Sequence, residues 1–398
     1  MLPERGHYRS FGITRLCTWY LLLNTFISFS STITVRLLAD IKVTSLMVAP
    51  LFGEYKIYAD GKLIAIDTNA TNVFLLTFKN DSIQVRSFER TVGNFSNIQL
   101  VGKEYPNSFK IRSIVPNSAV SSFDDNLEIT VSNQLLKVIN KIDLEHYISG
   151  VVECESGSKT TPEYYRLQSI LCRTYALGHI RRHEAEGFNL CNQVHCQAYF
   201  NKTNDPEIIK AAIDTKGLVI TDSDLNLITA AFHSNCGGET VNSEDVWALA
   251  TTYLKSVKDT FCLRQPHARW QRKIATEDWM SYLSLKHKYP VEDSSSYSNA
   301  INFPQQLGRE IYFVDKNLKV PLKTIRSDWQ LKSTYFSIEQ RSDSVIFNGR
   351  GYGHGIGLCQ EGAMQMTKLG YTYKDIIQFY YKDVHLVGLS VLSFFREK

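Results

Sequence analysis

Glycine at every second position near the C-terminus constrains the fold of this chain more than any other feature of its sequence. The five glycines of this run are Gly349, Gly351, Gly353, Gly355 and Gly357. Glycine weakens a strand unless another backbone or a ligand must approach closely. In an extended segment this spacing would leave one face without side chains, so we predict a ligand there, with His354 and Gln360 at its edges. The alternative is a glycine-rich loop between a strand over Ser344–Phe347 and a helix over Gly362–Lys368.

The glycine run does not have the spacing of the common nucleotide-binding loops. A dinucleotide fingerprint needs glycines at i, i+2 and i+5, and a phosphate-binding P-loop needs Gly-Lys followed by Ser or Thr. No register of the run meets the first pattern, and Gly362 is followed by Ala363. These spacings exclude both kinds of nucleotide site.

The composition is that of an ordinary globular protein. The chain has 398 residues, of which 43% are hydrophobic and 21% are charged, and this predicts two or three domains with a sizeable core. Its net charge of +4 is too small to indicate a nucleic-acid partner, although it would not oppose binding to an acidic polymer. We predict no nucleic-acid partner.

The first residues have the pattern of an export signal. Arg5, Arg9 and Arg15 precede a short apolar segment over 16–27, and small polar residues follow it. This order is typical of a signal peptide, and the segment is too short and too polar for a confident membrane span. We predict export to the periplasm or cell envelope, with membrane contact only through an N-terminal segment that stays uncleaved.

The order of patterns predicts an α+β protein in four parts. Residues 1–31 form the signal peptide or anchor, and residues 32–140 form a β-rich region in which Asp60-Gly61 marks a hairpin. Residues 141–265 form a mixed region of helices and strands. Residues 266–398 contain further strands, the glycine run and terminal helices that complete the core.

Local patterns in the later regions predict individual elements. Ile148–Val152 is an apolar run typical of a strand, and a helix follows the capping sequence Thr161-Pro162-Glu163 as far as about Arg182. Leu227–Phe232 is a second predicted strand. The serine-rich segment Asp293–Asn302 is predicted to be a surface loop.

Two carboxylates follow the apolar run over 148–152. Glu153 and Glu155 are two residues apart, so in a strand they would share a face at about 7 Å, a separation that inverting glycosidases use. A single carboxylic acid can also serve if an apolar setting raises its pKa. The alternative is a pair of solvated charges at a strand end.

A cysteine- and histidine-containing segment follows the predicted helix. Cys191, His195 and Cys196 have the pattern of a partial zinc site, which His183 or His179 could complete. A small disulfide loop between Cys191 and Cys196 is the alternative in an exported protein. The sequence does not decide between a structural zinc ion and a disulfide.

The segment from His233 to Thr240 contains a hydroxyl, a thiol and two glycines. Ser234, Gly237 and Gly238 predict a tight turn beside a ligand. Cys236 near His233 could instead be a nucleophile with its base, and a cysteine amidase using Cys236 or Cys359 is a remoter alternative.

Five separate blocks of the sequence resemble, in order, those of the SpoIID/LytB family. They are Gly150-Val151-Val152-x-x-Glu155, the helix with Gln168 and Arg173-Thr174-Tyr175, the segment from Cys191 to Tyr199, His233-Ser234-x-x-Gly237-Gly238-x-Thr240, and Gly351-x-Gly353-His354-Gly355-x-Gly357-x-x-Gln360-x-Gly362-Ala363. The resemblance covers about Tyr147 to Val384, and five ordered blocks make a chance match very improbable.

The resemblance implies a role in the bacterial cell wall. Sporulation members of the family are similar to lytic transglycosylases that cut peptidoglycan glycan strands, preferring strands without stem peptides, and other members are described as modifiers of a wall amidase. The catalytic glutamate of the family falls on Glu155, and no cofactor is required for the chemistry. A non-catalytic glycan-binding stimulator of an amidase, and a hydrolase using Glu153 with Glu155, are the alternatives.

The resemblance also implies a set of binding residues. The implied substrate-binding residues are Arg173, Tyr175, Ser234, Gly237, Gly238, Tyr352, His354 and Gln360. The implied zinc ligands are Cys191, His195, Cys196 and His183. The sequence departs from the family at Glu153, at Tyr164 and Tyr165, and at Cys359, where many members have serine.

Overall fold

Two sheets, antiparallel except for one parallel pairing, are formed mainly by residues 32–143. The computed structural model describes residues 32–67, 72–157, 159–247, 249–314 and 318–396, so the predicted signal peptide or anchor over residues 1–31 lies outside the described residues. The strands of this region are β1 (Thr32–Leu37), β2 (Ser45–Phe52), β3 (Tyr55–Ala59), β4 (Lys62–Asp67), β5 (Phe74–Lys79), β6 (Ser82–Arg86), β7 (Thr91–Phe95), β8 (Asn97–Gly102), β9 (Ser108–Val115), β10 (Ser121–Asp124), β11 (Asn126–Ser132) and β12 (Leu135–Asp143).

Side-chain alternation on these strands produces a shared core. One sheet has the order β13-β1-β12-β11-β8-β3-β4 and the other the order β10-β9-β2-β5-β6-β7, where β13 is the short strand Leu190–Cys191. Every second residue of Tyr55–Ala59 is buried, as expected for strands with one face on the core. The hairpin predicted at Asp60-Gly61 is confirmed between β3 and β4, and both turn residues have positive φ.

Helices dominate the middle and C-terminal parts of the chain. They are α1 (Leu144–Ser156), α2 (Pro162–Gly178), α3 (Pro206–Asp214), α4 (Ser243–Val246), α5 (Thr276–His287), α6 (Ser294–Ile301), α7 (Leu322–Asp328), α8 (Gln360–Lys368), α9 (Tyr373–Tyr380) and α10 (Leu389–Arg396). The remaining strands are β14 (Leu218–Thr221), β15 (Phe232–His233), β16 (Arg269–Ala275), β17 (Phe336–Arg341), β18 (Ser344–Arg350), β19 (Leu358–Cys359) and β20 (His385–Gly388). The predicted α+β class is confirmed.

The strand predicted over Ile148–Val152 is wrong, because these residues lie inside α1. Asp143 ends β12 and caps the helix, since its side chain accepts a hydrogen bond from the Glu145 N–H at 2.8 Å. Buried side chains at Leu144, Tyr147, Ile148, Val151 and Val152 follow the spacing of one helical face. A short apolar run fits either a strand or a buried helix face, so the run alone could not decide.

Two other local predictions also need correction. The segment predicted as a loop over Asp293–Asn302 contains α6, whose first turn is capped by Asp293 accepting from the Ser296 N–H at 2.8 Å. Of the strand predicted over Leu227–Phe232, only Phe232 is in a strand, β15, which pairs in parallel with β19. The start of α2 is confirmed, since Thr161 accepts from the Tyr164 N–H at 3.2 Å.

From Thr32 onward the chain forms one compact unit with two hydrophobic cores. The larger core joins the two sheets to α1, α2, α3, α8 and α9. The smaller core surrounds Trp279 on α5 and includes the sheet β16-β18-β17. The divisions near residues 140 and 265 stay a prediction. Among the described residues, no helix combines the length and apolar character needed to cross a membrane.

Candidate active site around Glu155

An open pocket lies beside the C-terminal end of α1. Its volume is about 520 Å³, which is sufficient for a sugar-sized ligand. The residues that line it come from α1, α2, β15 and four loops, and are Glu155, Tyr175, His179, Arg182, Val194, Cys196, Gln197, Thr229, Ala230, Ala231, Phe232, Trp247, Leu249, Thr251 and His354. Glu155 is the only carboxylate among these described lining residues.

Glu155 is fixed by contacts from two distant segments. Its carboxylate Oε1 accepts a hydrogen bond from the Ala198 N–H at 3.2 Å, and its backbone carbonyl accepts one from Gln360 Nε2 at 3.2 Å. Burial raises the pKa of Glu155, while the Ala198 N–H opposes this shift in pKa. The apolar surroundings therefore favour the neutral carboxylic acid, which is the form that can donate a proton.

Glu153 does not share the position of Glu155. The sequence argument placed both carboxylates on one strand face, but in a helix residues two apart point in nearly opposite directions. Glu153 is not among the residues that line the pocket. The shared-face argument for a two-carboxylate site is therefore wrong.

Of the predicted residues His354 and Gln360, the first lines this pocket and the second lies behind it, against the backbone of Glu155. His354 lines it, and its Nδ1 accepts a hydrogen bond from the Ile356 N–H at 3.0 Å. Burial, together with the nearby charges of Arg326 and Arg309, lowers the pKa of His354 to about 4. The imidazole is therefore neutral at neutral pH. The side chain of Gln360 contacts Glu155 by donating to the backbone carbonyl of that residue.

The C-terminal end of α2 supplies a polar wall. Tyr175 stacks on His179 with ring centroids 4.1 Å apart. Arg182 donates from Nη1 to the Tyr175 hydroxyl at 3.0 Å and to the His195 carbonyl at 2.6 Å. The structure thus places Tyr175, a predicted binding residue, at the pocket, and adds Arg182 as a cation that the sequence reasoning did not identify.

Residues of the segment over 229–251 complete the pocket and were also missed. Thr229, Trp247 and Leu249 line it, and the Trp247 ring lies 6.0 Å from that of His354. Trp247 follows the short helix α4, and no spacing in the sequence relates it to Glu155. Aromatic faces in a polar pocket suit the apolar faces of sugar rings.

The glycine run is a loop and not a strand with a bare face. Gly351, Gly353, Gly355 and Gly357 all have positive φ, between 69° and 117°, where glycine is strongly favoured. A Cβ on Gly357 would lie 2.2 Å from the Ala231 carbonyl oxygen. The glycines therefore let this loop pack against the protein's own segment over 231–241, and the ligand predicted on their face has no room there.

Arg173 is a correction to the predicted binding site. Its side chain is fully buried, and it forms an ion pair with Glu145, whose side chain is 9% exposed. It also donates to the carbonyls of Leu218 and Ala212, at 3.2 Å and 3.1 Å. Arg173 therefore joins α1, α2 and α3 and does not reach the pocket.

Four further predicted binding residues lie away from Glu155. Ser234, Gly237, Gly238 and Tyr352 are not among the described residues that line the pocket. Gly237 packs on Arg350, where a Cβ would approach within 2.8 Å. The turn from 234 to 238 thus supports the glycine loop and does not present backbone amides to this pocket.

The four predicted zinc ligands lie together. One nitrogen or sulfur atom from each of His183, Cys191, His195 and Cys196 lies within 4.8 Å of the others. Cys196 Sγ is 3.5 Å from His183 Nε2 and 3.7 Å from His195 Nδ1, and Cys191 Sγ is 3.8 Å from His195 Nδ1. Sulfur and nitrogen ligands of a tetrahedral zinc ion lie about 3.6 Å apart, so this donor set fits zinc.

The remaining contacts of this cluster also fit a metal. Cys191 and Cys196 have free thiols, and the second ring nitrogen of His183 pairs with Glu186 at 2.5 Å. Metal-binding histidines commonly have such an outer carboxylate. His179 is outside this group, because it stacks on Tyr175 at the pocket.

The cysteine nucleophile considered from the sequence is not assembled. His233 is buried, with Nδ1 donating to the Ile356 carbonyl at 3.1 Å. Cys236 Sγ instead contacts Asp259 and Cys262. The structure therefore pairs the thiol and the imidazole with different groups.

Comparison with known proteins agrees with the order of these elements. The SpoIID family profile, described as Stage II sporulation protein, matches residues 132–221, which include α1, α2 and the histidine–cysteine cluster. Over these residues the chain is similar to the SpoIID/LytB family, as the sequence blocks predicted. The family match thus covers Glu155 and the loop that contacts it, although the glycine loop and Trp247 lie beyond the matched residues.

Individual relatives extend the similarity. An uncharacterised protein of Brachyspira hyodysenteriae is 28% identical over 262 residues, which is 65% of this chain and 70% of the relative. Stage II sporulation protein D of Bacillus subtilis is 27% identical and covers 62% of this chain and 75% of the relative. A Bacillus subtilis protein named Amidase enhancer is 27% identical over 61% of this chain but only 40% of its own length.

Proposed function

We propose that this protein is a peptidoglycan lytic transglycosylase that cleaves the bond between N-acetylmuramic acid and N-acetylglucosamine. The observation that carries the proposal is a single, half-buried carboxyl group, Glu155, in a pocket with no second carboxylate among its described lining residues. Glycosidases that use water need two carboxyl groups. A reaction whose nucleophile belongs to the substrate needs only one acid/base group.

Glu155 performs both proton transfers in this mechanism. The neutral carboxylic acid donates its proton to the glycosidic oxygen, the C1–O bond of the muramic acid breaks, and positive charge develops on that ring. The resulting carboxylate then accepts the proton of the same sugar's 6-hydroxyl as that oxygen attacks C1. The product is a 1,6-anhydro sugar, no water is consumed, and Glu155 returns to its acid form without any cofactor.

The other pocket residues position the sugar and the acid. Trp247 and Tyr175 offer aromatic faces, and His354 contributes a neutral imidazole ring to the pocket wall. Gln360 and Ala198 hold the backbone and the carboxyl group of Glu155. This arrangement supports orientation of a glycan strand. Correct orientation can lower the activation free energy substantially when the nucleophile is already part of the substrate.

Arg182 gives the pocket a preference for strands without stem peptides. A muramic acid that has lost its peptide exposes a lactyl carboxylate, and Arg182 is the permanently charged cation among the described lining residues. We expect Arg182→Gln to lower kcat/KM on peptide-stripped strands about tenfold or more, since a charge-assisted hydrogen bond contributes about 1.5–3 kcal/mol. Competition between stripped strands and strands whose lactyl group is amidated measures this. Equal loss on both substrates would contradict the assignment.

The pH dependence of cleavage should reflect two groups with opposite shifts. Activity requires protonated Glu155, so kcat/KM falls as pH rises through its pKa, which burial places above the usual glutamate range. Activity also falls near pH 4, where His354 becomes charged, because its pKa is about 4. Initial rates measured from acid to neutral pH should give a bell-shaped plot of kcat/KM against pH. His354→Gln should remove the acid limb and keep the alkaline limb, and loss of the alkaline limb instead would contradict these roles.

A structural zinc ion fits this mechanism. Its ligands would be His183, Cys191, His195 and Cys196, which we call the first cluster, and its role would be to fix the loop over 190–198. That loop provides the Ala198 N–H on the Glu155 carboxylate. The zinc ion takes no part in the proton transfers.

The similarity to Amidase enhancer favours one second candidate, a protein that binds glycan and stimulates a wall amidase. The test is to incubate the full chain with peptide-stripped strands, and separately with intact wall and a wall amidase. Fragmentation of stripped strands by the protein alone supports the transglycosylase. Faster peptide release by the amidase without any strand cleavage would support the second candidate and overturn the first. Both candidates place the protein in the cell envelope after export.

A further inference from the structure

A second group of metal-ligating side chains lies outside the pocket. It consists of Cys236, Asp259, Cys262 and Cys359, and one sulfur or oxygen atom of each lies within 4.8 Å of the others. All four residues are fully buried, and all three cysteines have free thiols. Three thiols and a carboxylate without contact to water need a reason to be together.

The distances in this group are within a few tenths of an ångström of those between the ligands of one tetrahedral ion, and slightly shorter. Cys236 Sγ is 3.4 Å from Cys262 Sγ and 3.3 Å from Asp259 Oδ2. Ligands of a tetrahedral zinc ion, at about 2.3 Å for sulfur and about 2.0 Å for oxygen, lie about 3.5–3.8 Å from one another. Thiolate donors in this geometry select zinc over hard cations such as magnesium or calcium.

Backbone donors surround the sulfur atom of Cys359. It accepts from the Cys236 N–H at 3.2 Å and from the Gly362 N–H at 3.4 Å. Cys359 is also the N-cap of α8, where the helix dipole favours a negative charge. These N–H groups are oriented to stabilise the negative charge that the sulfur would carry when bound to a metal.

The carboxylate of Asp259 is held in a fixed orientation. Its Oδ2 accepts from the Tyr380 hydroxyl at 2.9 Å, and its Oδ1 accepts from the Phe261 N–H at 2.8 Å. Gly362 permits this arrangement, since a Cβ there would lie 2.3 Å from both Asp259 Oδ2 and the Tyr380 hydroxyl. Outer contacts of this kind orient the ligands of metal sites.

A positive charge lies next to the group. The Arg309 guanidinium is buried and donates to the Cys236 carbonyl. Three thiolates and a carboxylate exceed the charge of a zinc ion by two negative charges, so a neighbouring cation and the dipole of α8 offset part of that excess.

We propose that Cys236, Asp259, Cys262 and Cys359 form a second, structural zinc site. Binding releases the three thiol protons to solvent and leaves every sulfur in its reduced state, so no oxidant is needed. The ion would tie together the loop after β15, the turn at 259–262 and the start of α8. This proposal does not depend on the reaction at Glu155.

The test measures metal content of the full chain purified from zinc-supplemented medium. Wild type is expected to hold two zinc ions per chain. Cys359→Ser and the first-cluster variant Cys191→Ser are each expected to lose one. Cys172→Ser is the matched control, because Cys172 is a buried thiol in neither cluster, and it should keep both. A zinc content that is the same in Cys359→Ser as in wild type would overturn the proposal.

Cobalt spectroscopy of the wild-type protein keeps the test decisive if a variant fails to fold. The first cluster offers two thiolates and the second offers three, and thiolate-to-cobalt absorption scales with their number. Two fully loaded sites should therefore absorb about 2.5 times as strongly per chain as the first cluster alone. Absorption from only two thiolates would overturn the proposal, as would a Cys236–Cys262 disulfide in a non-reducing peptide map.

Discussion

Replacing Glu155 with glutamine is expected to lower the rate of glycan-strand cleavage roughly 10²- to 10⁴-fold, the usual contribution of a general acid/base. Glutamine has the size of glutamate, and its carbonyl oxygen can still accept from the Ala198 N–H. Its amide group is not acidic enough to transfer a proton to the glycosidic oxygen. Initial rates on soluble, peptide-stripped strands measure the effect, and strand binding should be retained.

Glu153→Gln is the matched control for this prediction. It makes the same chemical change on the same helix, two residues earlier, at a position that does not line the pocket. We expect its rate to stay within a few-fold of wild type. A comparable loss at Glu153 would show that two carboxyl groups participate and would contradict the single-acid mechanism.

Glu155→Gln should also be at least as stable as wild type at neutral pH. Because burial raises the pKa of Glu155, the folded state binds this proton more tightly than the unfolded state, and stability falls as pH rises above the ordinary glutamate pKa of about 4.3. The variant lacks the free-energy cost of ionising a buried carboxyl group. Thermal unfolding should show its advantage at neutral pH and no advantage below about pH 4, which separates lost chemistry from lost folding.

Replacing Arg173 with methionine is expected to reduce the free energy of unfolding by about 3–5 kcal/mol, because it leaves Glu145 as an unpaired charge in the core. The Arg173 side chain is fully buried and that of Glu145 is 9% exposed. The carbonyls of Leu218 and Ala212 also lose their donors. Urea unfolding measures the change.

Two further variants distinguish the stability effect of losing the Arg173–Glu145 ion pair from the effect of any arginine-to-methionine change on α2. Arg166 lies on the same helix and pairs with Asp214, but its side chain is 31% exposed, so Arg166→Met should cost less than about 1 kcal/mol. Adding Glu145→Leu to Arg173→Met should restore part of the stability, since no charge remains buried. Equal effects at Arg166 and Arg173, or no recovery in the double variant, would contradict this account.

Local sequence signals predicted elements whose ends are determined by short-range contacts. Asp60-Gly61 predicted a hairpin because both turn residues tolerate positive φ, and Thr161 predicted the start of α2 because its hydroxyl can cap the helix. The apolar run over 148–152 contains no such signal. Its helical state depends on the Asp143 cap, a local contact that lies outside the run, and on burial against α2 and α3, which is a tertiary effect.

The candidate site was predictable only in part for the same reason. Glu155 and the histidine–cysteine cluster lie in short segments with recognisable spacing, and the structure brings each of them to one place. Trp247 and Arg182 reach the pocket through the course of long loops, which no spacing reveals. Arg173 was assigned to substrate because it lies with Tyr175 in a block that resembles the family, whereas the structure buries its side chain against Glu145.

The chemical nature of the new strand end tests the central proposal most directly. Wild-type protein and Glu155→Gln are incubated with peptide-stripped strands in water enriched in heavy oxygen, and the products are analysed by mass spectrometry. We predict that wild type releases fragments ending in 1,6-anhydro-N-acetylmuramic acid without heavy oxygen, and that Glu155→Gln releases almost none. Reducing ends that contain one heavy oxygen would show attack by water and would contradict the transglycosylase mechanism.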